Sequence, residues 1–149
     1  MESIVESIHI NIEHRQPVSH VENANFIAGV GMENDRHATP RSDRQGYQVL
    51  LMDKETLDSA GLSPGEIKEN ITTVGMDINT LQIGQQVALG NEAIIEVFKP
   101  CPPCSRMDEI RPGLQKELDG RRGVLAKIVQ SGMVKTGDRI QVVEPTTRT

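Results

Sequence analysis

QQVALGNEAIIEVFK, residues 85–99, holds two β-prone runs around a turn. Val, Leu, Ile and Phe crowd the two arms. Gly90 and Asn91 between them tolerate the left-handed backbone that a tight connection requires, so the stretch reads as a hairpin. Upstream, SIVESIHINI alternates Ile4, Glu6, Ile8 and Ile10 against Val5, Ser7 and His9, a period near two. YQVLLMD reads as a short, largely buried strand. Downstream, GVLAKIVQSG and GDRIQVVE read as a further strand pair, with Gly132 and Gly137 punctuating their connection. One helix is expected over 53–60, with Asp53 as N-cap and Gly61 as stop, and a second over about 112–118, ending before Gly120.

Many short strands with glycine-rich connections and few helices predict a mainly β fold, a closed or nearly closed antiparallel β-barrel with one to three short helices. A length of 149 residues fits one domain spanning 1–149. With no Trp, one Tyr and two Phe, the core has to come from Ile, Val, Leu and Met. MENDRHATPRSDRQG, residues 32–46, is the longest tract without apolar periodicity, which marks either a functional loop or a disordered one.

Composition excludes several classes of function. No apolar run approaches the ~20 residues that cross a bilayer, so no membrane association is expected. MESIVESIHINIEHR carries acids at positions 2 and 6 and no basic leader, unlike a secretory signal, and a cytoplasmic address follows. The formal net charge of −5 argues against nucleic acid as a partner. Local arginine clusters remain: Arg36, Arg41 and Arg44 in the polar loop, then Arg106, Arg111, Arg121 and Arg122 after the cysteines. Such clusters suit a small anionic ligand.

Both cysteines stand in KPCPPCSRMDEI, residues 99–110, at C-x-x-C spacing. A structural zinc site needs four ligands, and no second pair exists. His9, His14, His20 and His37 lie upstream without the tight spacing of a ligand pair. A redox pair belongs at a strand-to-helix turn within a parallel α/β framework, which is not evident here. A structural disulfide does not suit a cytoplasmic protein. Two merely packed cysteines, or one reactive thiolate, stay open. If one thiol works, Cys104 is the better choice. Pro102 and Pro103 stiffen its approach, Arg106 favours its thiolate, and a helical turn opening at Cys104 would favour it further.

Six segments in this order resemble the MOSC domain family: GVGMENDRH (29–37), YQVLLMDKETL (47–57), KENITTVGMDINTLQIGQQVALG (68–90), KPCPPCSRMD (99–108), GVLAKIVQSG (123–132) and GDRIQVV (137–143). The most specific elements are Glu69-Asn70-Ile71-Thr72 with Gly75, Leu81-x-x-Gly84, and Cys104 ahead of the last glycine-punctuated strands. The resemblance implies a small stand-alone bacterial-type member, a β-barrel binding the molybdenum cofactor, a molybdopterin whose dithiolene holds the metal. It also implies one of two activities, reduction of N-hydroxylated compounds or transport of sulfur on a cysteine persulfide. Cys104 corresponds to the molybdenum-ligating cysteine, and Arg36 and Asn70 to cofactor-holding residues.

The chemistry agrees with those residue types. Molybdenum held by dithiolene sulfurs accepts a further soft thiolate, and the cofactor's phosphate suits arginine. Arg15, Arg36 and Arg106 are candidates for that phosphate, and His37 is a candidate proton donor beside it. The expected oxidoreductase needs a small-molecule substrate and a separate electron-donor protein, because two cysteines cannot hold a Cys₄ cluster. The sulfur-carrier alternative needs a sulfur-donor protein. A non-catalytic barrel holding some other anion is a third reading. The chain departs from the family pattern in having Glu33-Asn34-Asp35 for Gly-Asp, and Tyr47-Gln48-Val49 where Arg-Gln-Val is usual. Either the Arg44-Gln45 pair re-registers that loop or an arginine contact has moved.

Overall fold

A computed structural model describes residues 2–13 and 16–143. The hairpin at 85–99 forms as expected: strand β7 (Gln86–Leu89) runs antiparallel to β8 (Ala93–Pro100), with Gln86 opposite Glu96 and Leu89 opposite Ala93. Gly90 turns the chain at φ +73°. A Cβ there would stand 2.5 Å from the Asp138 carboxylate, so only glycine suits the corner.

Around this hairpin the other strands are β1 (Ile4–Ile10), β2 (Ser19–Val21), β3 (Asn23–Ile27), β4 (Gly31–Met32), β5 (Val49–Asp53), β6 (Ile71–Val74), β9 (Val124–Gln130), β10 (Gly132–Lys135) and β11 (Ile140–Val142). Eight of the eleven described strands, the hairpin included, form one sheet in the order β11-β7-β8-β9-β5-β6-β1-β2, and β10-β3-β4 form a second. Among the described residues every strand pairing is antiparallel except β5 with β6. The mainly β class is as expected, but among the described residues no sheet is closed into a barrel. Apart from its ladders, β1 meets the segment leading into β11 at one isolated bridge, Ile4 with Arg139. Three 2.8 Å backbone hydrogen bonds flank it, from Val5 N–H to Asp138, Gly137 N–H to Val5 and Ile140 N–H to Ser3.

The final strand pair also differs from expectation. The strands exist, but β9 pairs with β8 and β5, and β11 pairs with β7. Between them Gly132 starts β10, which crosses to β3 in the other sheet. The alternation of β1 is interrupted as well. A register shift between Val5 and Ser7 inserts one extra residue, so Val5 and Ile8, three apart, both point into the core.

Strand β5 explains its own sequence. Val49 and Leu51 enter the core shared by the two sheets, with Ile8, Phe26, Ile71 and Ile95. Met52 enters a second cluster with Leu57, Ile67, Met107, Leu114 and Leu118. Burial on both faces demands the unbroken apolar run VLLM, residues 49–52. The second cluster seats three short helices, α1 (Lys54–Ser59), α2 (Met107–Ile110) and α3 (Leu114–Glu117), and two 3-10 turns complete the described helical segments. Helix α1 starts after Asp53 and ends at Ala60 and Gly61 as the sequence predicts. The polar tract 32–46 is partly ordered, because one 3-10 turn occupies Ser42–Tyr47. No helix among the described residues is long and apolar enough to cross a membrane.

Candidate functional site

Residues from six separate stretches converge on one cleft of about 420 Å³. Asn11 and Glu13 come from the end of β1, Arg36 and His37 from the polar loop, and Leu50 from β5. Glu66, Ile67 and Lys68 precede β6. The cysteine segment contributes Cys104, Arg106, Met107, Glu109 and Ile110, and Arg122 completes the wall just before β9. Ile67 and Met107 belong also to the helical cluster, so the apolar side of the cleft is fixed by core packing.

Asp35 pins the polar loop. Its side chain is wholly buried, with Oδ1 accepting from Asn11 N–H at 2.7 Å and from the Asn70 amide at 3.2 Å. Its Oδ2 accepts from His37 N–H and from the His37 ring, each at 3.0 Å. Burial alone would raise the Asp35 carboxyl. The hydrogen bonds from His37 and Asn11 outweigh it and hold the group below the ordinary carboxylate range. Arg36 anchors the same loop through its backbone, N–H to Asn11 O at 2.6 Å, and its exposed guanidinium bonds the far ring nitrogen of His37 at 3.1 Å.

The cations gather. Lys68 adopts φ +68° and donates from its ammonium to the Gln16 carbonyl. Partial burial pushes it down, and Arg106 and Arg36 add repulsion, which shows the three sharing one neighbourhood. Arg122 is 7% exposed and donates from Nη2 to Ile67 O at 2.8 Å, while its Nε and Nη1 have no hydrogen-bond partner among the described residues. Orphaned buried guanidinium donors at a cleft wall suit an anion. Behind them Glu69 is fully buried, its Oε2 accepting from Gly65 N–H at 2.8 Å and from the Thr72 hydroxyl at 2.6 Å. Burial nonetheless pushes its carboxyl up, against those bonds and the pull of Arg122.

The two cysteines separate cleanly. Cys104 is exposed and lines the cleft. Cys101 is half-buried away from it, its N–H bonded to Gly123 O at 2.9 Å, and burial pushes its thiol up. The nearby Arg122 pulls the Cys101 thiol back against that burial. Of the two, Cys104 is the one that faces the cleft. The expected turn does open at Cys104, whose carbonyl accepts from Met107 N–H at 2.9 Å, and helix α2 follows with Arg106 as its N-cap.

Of the sequence-predicted residues, Cys104, Arg36, His37 and Arg106 come together in the cleft. Asn70 does not line it. Its amide is committed to the fold, Oδ1 accepting from Leu50 N–H at 2.9 Å and Nδ2 donating to His9 O and Asp35 Oδ1, each at 3.2 Å. Arg15 and His14 lie outside the described residues. Arg44 stacks on Tyr47, 4.3 Å from the ring centroid, and is not part of the wall. Sequence reasoning missed Asp35, Lys68 and the buried role of Arg122. Lys68 had a legible signal, a cation directly before Glu69-Asn70. Asp35 had none beyond its place next to Arg36.

Residues 37–141 match the MOSC domain family. Among solved structures, the YuaD protein of Bacillus subtilis superposes with a TM-score of 0.78 at 19% identity, covering 95% of this chain and 96% of that one. YiiM from Geobacillus stearothermophilus gives 0.73 at 18% identity, over 95% of this chain and 75% of its own. YiiM from Escherichia coli gives 0.70 at 16% identity, over 99% and 72%. At such identities these likenesses establish the fold. No curated protein matches the chain.

Proposed function

The chain belongs to the MOSC domain family, which is generally associated with the molybdenum cofactor, and from that premise we propose that it binds this cofactor in the Cys104 cleft and reduces N-hydroxylated small molecules. The observation that carries the reading is the gathering of one exposed thiol, Cys104, with the cations Arg36, Lys68, Arg106 and Arg122 in a single cleft. The donor set fits the group. A cysteine thiolate is a soft ligand for molybdenum, and guanidinium and ammonium groups suit a phosphate. A cleft of about 420 Å³ is also in the range that holds an organic cofactor.

In this reading Cys104 ligates the metal. Arg36, Lys68 and Arg106 hold the phosphate, and Arg122 offers its two unpartnered donors to a further anionic group of the same molecule. His37 stands beside Arg36 as the proton-exchanging side chain. Asn70 acts at one remove, by holding Asp35 in place. When bound, the cofactor supplies the electron-transfer chemistry. Electrons come from a separate carrier protein in the cytoplasm.

Exposure of Cys104 favours a second reading, a sulfur carrier bearing a persulfide on that residue, since a partner's sulfur has to reach it. One preparation distinguishes the two. Protein made in a cofactor-competent host is assayed for molybdenum, pterin and cyanide-releasable sulfur, beside Cys104→Ser and Cys101→Ser. The oxidoreductase reading expects near-stoichiometric molybdenum in wild type and Cys101→Ser, none in Cys104→Ser, and turnover of a hydroxylamine that follows the metal. Sulfur on Cys104 with no retained molybdenum overturns it in favour of the carrier.

A further inference from the structure

We infer that Asp35 and His37 form the acid–base dyad of this cleft, Asp35 positioning the ring so that His37 Nε2 delivers the proton that the reduction requires. The inference rests on the reductase reading and adds to it a named proton path. Its basis is geometry. Asp35 Oδ2 can only accept, so the 3.0 Å contact with His37 Nδ1 requires the proton to sit on Nδ1. A second 3.0 Å bond, from His37 N–H to the same oxygen, locks the backbone and ring of His37 onto one carboxylate. Nε2 is then the basic nitrogen, and it accepts from Arg36 Nη1 at 3.1 Å where both residues line the cleft with Cys104.

The remaining surroundings keep Asp35 fixed. Its side chain is 0% exposed and its other oxygen is held by Asn11 and Asn70, so the carboxylate cannot turn away from the ring. His37 is 35% exposed, enough to reload from solvent. A buried carboxylate behind a half-open imidazole fixes its tautomer, orients it and stabilises the imidazolium that forms when Nε2 takes up a proton.

The step balances as follows. A substrate R–NH–OH takes two electrons from a reduced electron-carrier protein and two protons, its N–O bond breaks, and R–NH₂ and water leave. His37 Nε2, first loaded with a proton from solvent in place of its bond from Arg36, passes that proton to the departing oxygen. Solvent supplies the second proton to the nitrogen. The imidazole then regains a proton from solvent, and Asp35 stays ionised throughout. Asp35 is thus a positioning residue and His37 the group that meets the substrate.

The test begins on cofactor-free protein with ¹⁵N-labelled histidine. Wild type is expected to show His37 protonated at Nδ1, with Nε2 as the unprotonated nitrogen of the neutral ring. Asp35→Asn, whose amide can donate to Nδ1, is expected to shift the proton to Nε2. In loaded enzyme, His37→Gln is expected to lower kcat by roughly 10²-fold or more, with KM and molybdenum content near wild type. A wild-type ring protonated at Nε2, an unchanged tautomer in folded Asp35→Asn, or a His37→Gln enzyme of undiminished kcat each overturns the dyad. Should Asp35→Asn fail to fold, the wild-type tautomer and His37→Gln still decide. A wild type that never retains molybdenum sinks the reductase reading instead, and the tautomer is read without it.

Discussion

Asn70 holds together the parts of the molecule that the cleft depends on. It touches the carbonyl of His9 in β1, the N–H of Leu50 in β5 and the carboxylate of Asp35 in the polar loop, all from one buried amide. An asparagine is the smallest side chain carrying both the acceptor and the two donors that these three groups require. Truncation takes the side-chain amide from the Leu50 N–H and the His9 carbonyl, and leaves Asp35 Oδ1 with the Asn11 N–H alone. Asn70→Ala is therefore expected to lower unfolding stability by about 2–4 kcal/mol, measured by urea denaturation. Asn70→Asp should be little better, because it replaces the donor with a second carboxylate facing Asp35. A stability loss below about 0.5 kcal/mol in Asn70→Ala would show the three contacts to be dispensable.

At the level of elements, the approach to β9 controls the cleft. Gly123 stands at φ +96°, and a Cβ there would lie 2.1 Å from the Leu51 carbonyl oxygen, against backbone that cannot give way. Its N–H donates to the Asn79 side chain at 3.0 Å and its carbonyl accepts from Cys101 N–H at 2.9 Å. One residue thus joins β5, the turn after β6 and the cysteine segment, with Arg122 as its neighbour on the cleft wall. Gly123→Ala combines a left-handed backbone penalty with a backbone clash, so a loss of about 3 kcal/mol or more is expected. Thermal unfolding reads the stability. Molybdenum content, measured below the lowered transition, is expected to fall in parallel because the Cys101–Cys104 segment loses its anchor.

For the molecule as a whole, acid stability carries a distinct mark of His9. The ring is fully buried, its Nδ1–H donates to Glu69 O at 2.8 Å, and its Nε2 has no hydrogen-bond partner among the described residues. Burial, with help from nearby His20, pushes the imidazole from 6.5 down to about 4 despite the Glu69 bond. Above pH 6.5 the ring is neutral in both folded and unfolded chains. Between 6.5 and about 4 the unfolded chain takes up a proton that the native one refuses, so stability falls as pH falls, by up to about 3 kcal/mol. His9→Asn keeps a donor for the Glu69 carbonyl and removes the titration. Urea midpoints taken at pH 7 and near pH 4.5 should converge less in wild type than in the variant, and parallel acid limbs would contradict the assignment. Buried Glu69, whose carboxyl is pushed up, pulls the other way, which is why the difference between the two proteins is the quantity to measure.

What could be read along the chain was whatever local chemistry determines. The 85–99 hairpin, helix α1 between Asp53 and Gly61, and the apolar run of β5 follow from turn residues, caps and burial, each settled within a few positions. The ordered motifs from GVGMENDRH to GDRIQVV carried the family, and the residues about Cys104 singled it out from Cys101. Partnership across long separations was decided only by the tertiary structure. It assigned β9 to β8 and β5 rather than to β11, joined β1 to the approach to β11 by one bridge without closing a barrel, and shifted the phase of β1 with a single extra residue. It also turned Asn70 inward and brought Lys68, Arg36 and Arg106 into mutual repulsion around one cleft. Hydrogen-bond partners and like charges far apart in sequence impose no periodicity on it, so only packing brings them to light.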